Sequence, residues 1–318
     1  MPRQTLIFLT PCFCGGAYNK TGPAELRVPS LRGQLRYWTR VLFHVPGKPD
    51  EGARKEHQLF GGIRAKELGF KHPISGQKAP DALASRFTLQ LAFRPPLPVQ
   101  TSQALCPHDT VSGPHQRGKG WQQAIPEGVE FDLEWSAADR PSTDINSDFL
   151  RVLKSWVLLG SLGLRANRAS GSVWRYDWQP SVADFLKELE ELHLPCHIVV
   201  KVLRPLQPQE IAAWRPPVRT AVHQWQQLQT NPTELLRAVA TDTLVLPHNH
   251  GDALGHGGAG SRKASPLKFK VGHFKEGYRL IAISDRRDGR DGDLANAIRA
   301  LAQAMKPIGL LLRDAKIV

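Results

Sequence analysis

The chain has 318 residues, with 42 Lys and Arg against 29 Asp and Glu, a formal net charge of +13, 41% hydrophobic residues and four cysteines. At about 150 residues per domain this length predicts two domains. The apolar fraction excludes a disordered chain, and no apolar run nears the roughly 18 residues that a membrane span needs. The first apolar run, Leu6 to Leu9, is too short for a signal-peptide core. So few cysteines make no disulfide scaffold, which predicts a reducing, cytoplasmic setting. What is left is a basic protein for an anionic partner, nucleic acid ahead of anionic lipid and with no membrane anchor.

The elements follow in chain order. Thr5–Thr10 reads as a short buried strand, stopped by Pro11 and the Gly15-Gly16 pair. Pro29-Ser30 opens a helix, with Ser30 as N-cap. Leu31, Leu35, Trp38 and Leu42 form its apolar face, and Arg32, Arg36 and Arg40 lie roughly 130° away at 100° per residue. Residues 45–85 read as irregular, with an apolar knot at Leu59-Phe60-Gly61-Gly62. Strict alternation at Phe87, Leu89, Leu91 and Phe93, and again at Val129, Phe131, Leu133 and Trp135, predicts two half-buried strands. The second strand's other face, Glu130, Asp132 and Glu134, would repel a phosphate backbone, and residues 94–128 join the two as a long loop.

A helix is expected from Ser147 to about Leu162, then a loop over 160–171 rich in glycine, then a strand at Ser172-Val173-Trp174. Asp184–Leu192 reads as a short helix, His197–Leu203 as a buried strand and 218–240 as mostly helical. A Gly/His loop at 247–260 precedes a strand with Leu267, Phe269 and Val271 inward and Lys268 and Lys270 outward, then another at Tyr278–Ile283. A last amphipathic helix carries Leu294, Ile298, Leu301 and Met305, and Ile308–Leu312 closes as a strand. There is no regular βα alternation and no Rossmann opening, so the expected class is α+β.

The charge is segregated. Residues 1–40 carry a net +5, residues 161–176 a net +3 and residues 262–279 a net +5, which leaves the rest balanced. Arginines on a helix with no acid of its own suit phosphate or carboxylate, although a solvated outer face has the same pattern. Glycines at 160–171 let backbone N–H groups approach a phosphate, with Arg165 and Arg168 adding charge; a helix C-cap followed by a turn would look alike. The lysine-faced strand reads either as a backbone-binding surface or as an edge guarded by charge.

Thr10-Pro11 with Gly15-Gly16, followed by Glu25-Leu26-Arg27-Val28-Pro29-Ser30-Leu31-Arg32-Gly33-Gln34-Leu35-Arg36-Tyr37-Trp38, resembles the opening of the RAMP proteins of CRISPR effector complexes. Within them it is most similar to the first-subunit family of the Cmr, or type III-B, complex. Leu59-Phe60-Gly61-Gly62 resembles the family's Phe-Gly element, Gly160–Gly171 its glycine-rich loop, and Arg262–Leu267 its late Arg-x-Ala-Ser-Pro-Leu signature.

The resemblance implies an α+β fold of two RRM-like (ferredoxin-like) domains with long loop insertions, placed at 1–178 and 179–318. It also implies a non-catalytic, RNA-binding role near the 3′ end of a guide RNA, beside other RAMP subunits, helping to engage target RNA. Carried over by position, the candidate RNA contacts are Arg27, Arg32, Arg36, Arg165, Arg168, Arg262 and Lys263. No cofactor or metal is expected.

Two alternatives stand beside this reading. Some RAMP relatives cleave RNA, and His248 or His250, near Asp252 and His256, could serve as general base. A protein-interaction scaffold could instead turn the arginine stripe to acidic partner surfaces. A zinc site from Cys12, Cys14, Cys106 and His108 lacks the usual paired-loop spacing.

Overall fold

The computed structural model describes residues 1–16, 19–71, 81–93, 99–103, 121–138, 142–164, 166–202, 257–258, 261–262, 267–285 and 287. The expected helices at 218–240 and 294–305 and the strand at 308–312 lie outside these residues, as does the Gly/His loop apart from 257–258.

The described elements run β1 (Arg3–Phe8), β2 (Gly15–Gly16), β3 (Asn19–Ala24), α1 (Val28–Leu42), α2 (Asp50–Phe60), β4 (Phe87–Ala92), β5 (Gln100–Gln103), β6 (Trp121–Ala124), β7 (Glu130–Ala137), α3 (Thr143–Leu159) and β8 (Val173–Arg175). There follow α4 (Val182–Glu191), β9 (Ile198–Val202), β10 (Gly257–Gly258), β11 (Ser261–Arg262), β12 (Leu267–Phe274) and β13 (Gly277–Asp285). The result is the expected α+β class, with antiparallel sheets.

The first sheet has strand order β4-β7-β1-β8, every neighbour antiparallel. With α1 between β1 and β4, and α3 between β7 and β8, this is the split β-α-β connectivity. Leu6 and Phe8, Phe131 and Leu133, and Phe87 and Leu89 face the helices and are buried. Phe87 stacks on Phe149 of α3 at 3.9 Å between ring centroids. The opposite face keeps the acidic row: Asp132 accepts from Thr5 at 2.7 Å and pairs with Arg3 at 2.7 Å.

The second sheet, β12-β13-β9, packs across the C-terminal halves of α1 and α3. Tyr37 donates to Asp285 at 2.9 Å, and His197 meets the Val41 carbonyl at 2.9 Å. The Lys270 Nζ donates to the Val157 carbonyl at 2.5 Å. Trp174, Trp178, Phe185 and Phe274 form a ring cluster that fastens β8, α4 and β12 together.

Several expectations change. Helix α1 starts at Val28 with Arg27 as N-cap, so Ser30 lies inside the first turn. Pro29 falls in that turn, where its fixed φ suits a helix and its missing N–H costs nothing. The segment 45–85 contains α2, which alternation could not reveal because Glu56 and His57 are among its buried residues. Helix α3 begins at Thr143, capped by Ser142, and α4 is capped by a Ser181–Asp184 capping box.

The lysines of β12 do not face solvent. Lys270 is fully buried, and the Lys268 nitrogen sits 3.2 Å from the centre of the Tyr37 ring. The edge of β12 is covered instead by the glycine loop, through Ala169 N–H to Phe269 C=O and Phe269 N–H to Asn167 C=O, both 3.0 Å. Chain geometry, not charge, blocks that edge.

Candidate nucleic-acid interface

Residues Thr10 to Gly15 leave β1 and become the support for two of the three basic stretches. The Thr10 hydroxyl donates to the Ala169 carbonyl at 2.6 Å and accepts from Ser172 N–H at 2.9 Å. Pro11 C=O accepts from the Gly171 N–H at 3.0 Å and the Ser170 hydroxyl at 2.9 Å. Phe13 C=O accepts from Leu164 N–H at 2.8 Å. The glycines of the loop let it approach this backbone. Gly163 and Gly171 have φ of +83° and +60°, and a Cβ at Gly171 would lie 2.0 Å from the Leu162 carbonyl oxygen. Ala169 takes φ +63° without being glycine, and it is held by bonds from Thr10, from Ser172 and to Phe269.

The glycine loop is therefore first a structural joint. It ties β1, β8 and β12 together, and its exposed part is short, with Leu164 half exposed. Arg165 lies outside the described residues. Arg168 forms a parallel bridge with Phe269 and has a side chain only partly exposed.

Beneath the loop, Cys12 and Cys14 place their sulfurs 3.1 Å apart. Burial raises the Cys12 thiol, while the hydrogen bond from Cys12, together with nearby Arg27, lowers Cys14. The remaining members of the zinc set weighed from sequence, Cys106 and His108, lie outside the described residues, and those residues contain no cluster of three or more metal-ligating side chains.

The arginines of α1 separate into two kinds. Arg36 donates to Glu56 at 3.4 Å, to Phe60 C=O at 2.9 Å and to Gly61 C=O at 3.0 Å. Arg40 pairs with the same Glu56 at 2.6 Å, and that carboxylate is buried between them. The helix carries no acid of its own, as the sequence indicates, but α2 supplies one from across the pair. Arg32 makes no ion pair or hydrogen bond among the described residues, and its Nε is buried. Arg27 reaches the Gly15 carbonyl at 3.4 Å, which sets it on the same segment as the glycine loop. The first turn of α1 has no acidic residue and its N-cap makes no side-chain bond, so the N-terminus keeps its positive end.

The remaining sequence candidates are not brought to this place by the described structure. Arg262 is placed only as backbone in β11, paired with Gly257. Lys263, His248 and His250 lie outside the described residues. Sequence reasoning missed Glu56 and the Lys268–Tyr37–Asp285–Arg287 group. Both arise from contacts between elements far apart in the chain, for which periodicity has no signal.

The sequence matches the RAMP superfamily over residues 5–174. Comparison with curated proteins gives no match. Among solved structures, Cmr1 from Pyrococcus furiosus in its apo form is similar at 16% identity and TM-score 0.49, covering 89% of this chain and 86% of that one. A type III-B Cmr-beta structure bound to cognate target RNA and AMPPnP is similar at 11% identity and TM-score 0.47, covering 94% and 99%. A Type IV-B CRISPR complex follows at 15% identity and TM-score 0.33, covering 57% and 92%. No described helix is long and apolar enough to cross a membrane. The family match takes in more than half the chain, from β1 through the arginine helix and the glycine loop to β8, and the chain belongs to the RAMP superfamily.

Proposed function

We propose that this protein is a non-catalytic, RNA-binding subunit of a type III-B CRISPR effector complex. It lies near the 3′ end of the guide RNA, beside other RAMP subunits, and helps engage target RNA. It works in the cytoplasm and is built from two RRM-like units, residues 1–178 and 179–318. Family membership and the motif order support the complex. The observation that carries RNA binding is the division of the α1 arginines: Arg36 and Arg40 are closed onto Glu56, while Arg32 has no carboxylate partner among the described residues.

Arg27, Arg32 and the uncapped first turn of α1 together offer guanidinium forks and backbone N–H groups to phosphate. Glu130 and Glu134, partly exposed on the outer face of the first sheet beside the buried Asp132, direct RNA away from the surface that ordinary RRMs use, so loops and the helix N-terminus take that role.

The experiment is purification of the full chain from its native host. A small guide RNA and other RAMP subunits copurifying with it would support the reading, and a chain isolated free of RNA and RAMP partners would refute it. Cleavage of a defined RNA by the isolated chain, lost in His248→Ala or His250→Ala, would replace the non-catalytic reading with the endoribonuclease one.

A further inference from the structure

A half-open cleft of about 340 Å³ lies between α3, α4 and one end of the first sheet, away from the arginine helix. Its floor and walls are Leu150 and Val157 of α3 with Trp135 of β7, and its polar groups are Gln4 of β1, Lys154 of α3, Arg175 of β8 and Glu188 of α4. This volume is at the small end for a ligand site, about 300–1,000 Å³, and suits a ligand no larger than a mononucleotide.

The polar groups differ in whether they are already satisfied. Glu188 is held by Lys154 at 2.6 Å, so that pair is spent internally. Arg175 lies over the Trp178 ring, 4.9 Å from its centre, and has no carboxylate partner among the described residues. The Gln4 amide likewise has no hydrogen-bond partner among them. Leu150 stays 40% exposed at the rim, while Phe149, Leu153, Trp156 and Val157 of the same helix are buried. An apolar slot with an indole wall thus carries one cation with no carboxylate partner and one amide with no hydrogen-bond partner among the described residues.

We propose that this cleft binds a purine nucleotide. The ring lies along Trp135 and the leucine and valine side chains, as bases lie on aromatic and apolar side chains elsewhere. Gln4 presents a donor and an acceptor side by side, the pair that reads adenine N7 and the N6 amino group. Arg175 takes the phosphate through its planar fork, and its contact with Trp178 holds that fork in place. The same chemistry is offered by a free mononucleotide and by an unstacked nucleotide of single-stranded RNA.

The test is calorimetric titration of the full chain with AMP and with adenosine, and the same with the variants Gln4→Glu and Arg175→Met, each checked for an unchanged melting temperature. AMP should bind saturably and more tightly than adenosine. Each variant should weaken AMP binding by about tenfold, the effect of one charge-assisted or specific hydrogen bond, and Arg175→Met should erase the preference for AMP over adenosine. A short oligoadenylate photocrosslinked at Trp135 distinguishes the sources: crosslinking that AMP competes away assigns the cleft to an RNA nucleotide, and AMP binding without crosslinking assigns it to a free nucleotide. No saturable binding of AMP, or binding that both variants leave unchanged, overturns the proposal. Loss here with RNA binding intact at Arg32 leaves the proposed function standing, and the reverse leaves the cleft standing.

Discussion

Arg36 donates to the carbonyl of Gly61 at 3.0 Å, and this bond joins two motifs that lie 25 residues apart. The same guanidinium holds Phe60 C=O and Glu56, so the arginine of the first helix and the Phe-Gly element work as one clamp between α1 and α2. Gly61 has φ +68° and its Cβ would fall 2.3 Å from the Leu83 carbonyl oxygen, which fixes glycine at that end of α2. Arg36→Ala should lower stability by about 2 kcal/mol, because it frees two carbonyls and half of a buried carboxylate. Urea denaturation read by circular dichroism measures it, and a midpoint equal to that of the wild type would refute the clamp.

Arg32→Ala should behave in the opposite way. With no ion pair to lose among the described residues, its unfolding free energy should stay within about 0.5 kcal/mol of wild type. Single-stranded RNA affinity should fall, and the slope of log K against log salt should shrink by about 0.7, one phosphate contact's worth. Filter binding across a salt series reads this directly; an unchanged slope would remove Arg32 from the interface.

The contrast between these two arginines shows where the sequence is legible. Alternation marks β4 and β7 because one face of each packs apolar side chains on the helices while the other carries polar ones, and the 3–4 spacing marks α1 for the same reason. Helix α2 escapes because it buries Glu56 and His57, which carry no hydrophobic signal and earn burial only from partners on α1 and within the turn. Lys268 and Lys270 mislead for a related reason. In a strand covered on both sides, alternation of lysine and apolar residues no longer separates inside from outside. The family motifs mark Arg32 and Arg36 alike, yet their partners differ, and only the position of α2 tells them apart.

Gly171→Ala and Gly128→Ala separate backbone strain from collision. Both glycines have positive φ, +60° and +83°, but a Cβ at Gly128 meets open space while one at Gly171 meets Leu162 C=O at 2.0 Å. Gly128→Ala should cost about 1 kcal/mol, the left-handed penalty for a residue with a Cβ. Gly171→Ala should cost more than about 3 kcal/mol, since the loop must move off the Pro11 carbonyl. Equal losses in melting temperature for the two would show that the loop is not packed as described.

Stability should also depend on pH through the seam between α1 and the second sheet. Burial pulls Lys268 down to about 7, opposed by Asp285 and reinforced by Arg287, with the Tyr37 ring against the amine. The unfolded amine titrates near 10.4. Between about pH 7 and pH 10 the unfolded chain therefore holds a proton that the folded chain lacks, and stability rises with pH by at most about 1.4 kcal/mol per unit from this group. Lys270, buried more deeply, shifts in the same direction. Lys268→Met should be more stable than wild type at pH 7, and the advantage should narrow by pH 9. Urea midpoints at pH 7, 8 and 9 for both proteins test it; an advantage that grew with pH would reverse the sign and refute the assignment.

Gly33 gives the most direct test of the RNA face, because its presence has no packing reason. It sits inside α1 between Arg32 and Arg36, it is exposed, and a Cβ there would meet nothing within 4 Å. Glycine in a helix interior costs about 1 kcal/mol relative to alanine. Gly33→Ala should therefore stabilise the protein by about that amount. If a ligand backbone lies close against this turn of α1, the same substitution should weaken RNA binding while leaving the salt slope unchanged, since it removes no charge. A variant that is more stable and binds RNA as tightly as wild type would place the RNA away from this turn, and Arg32 would have to reach it from a distance.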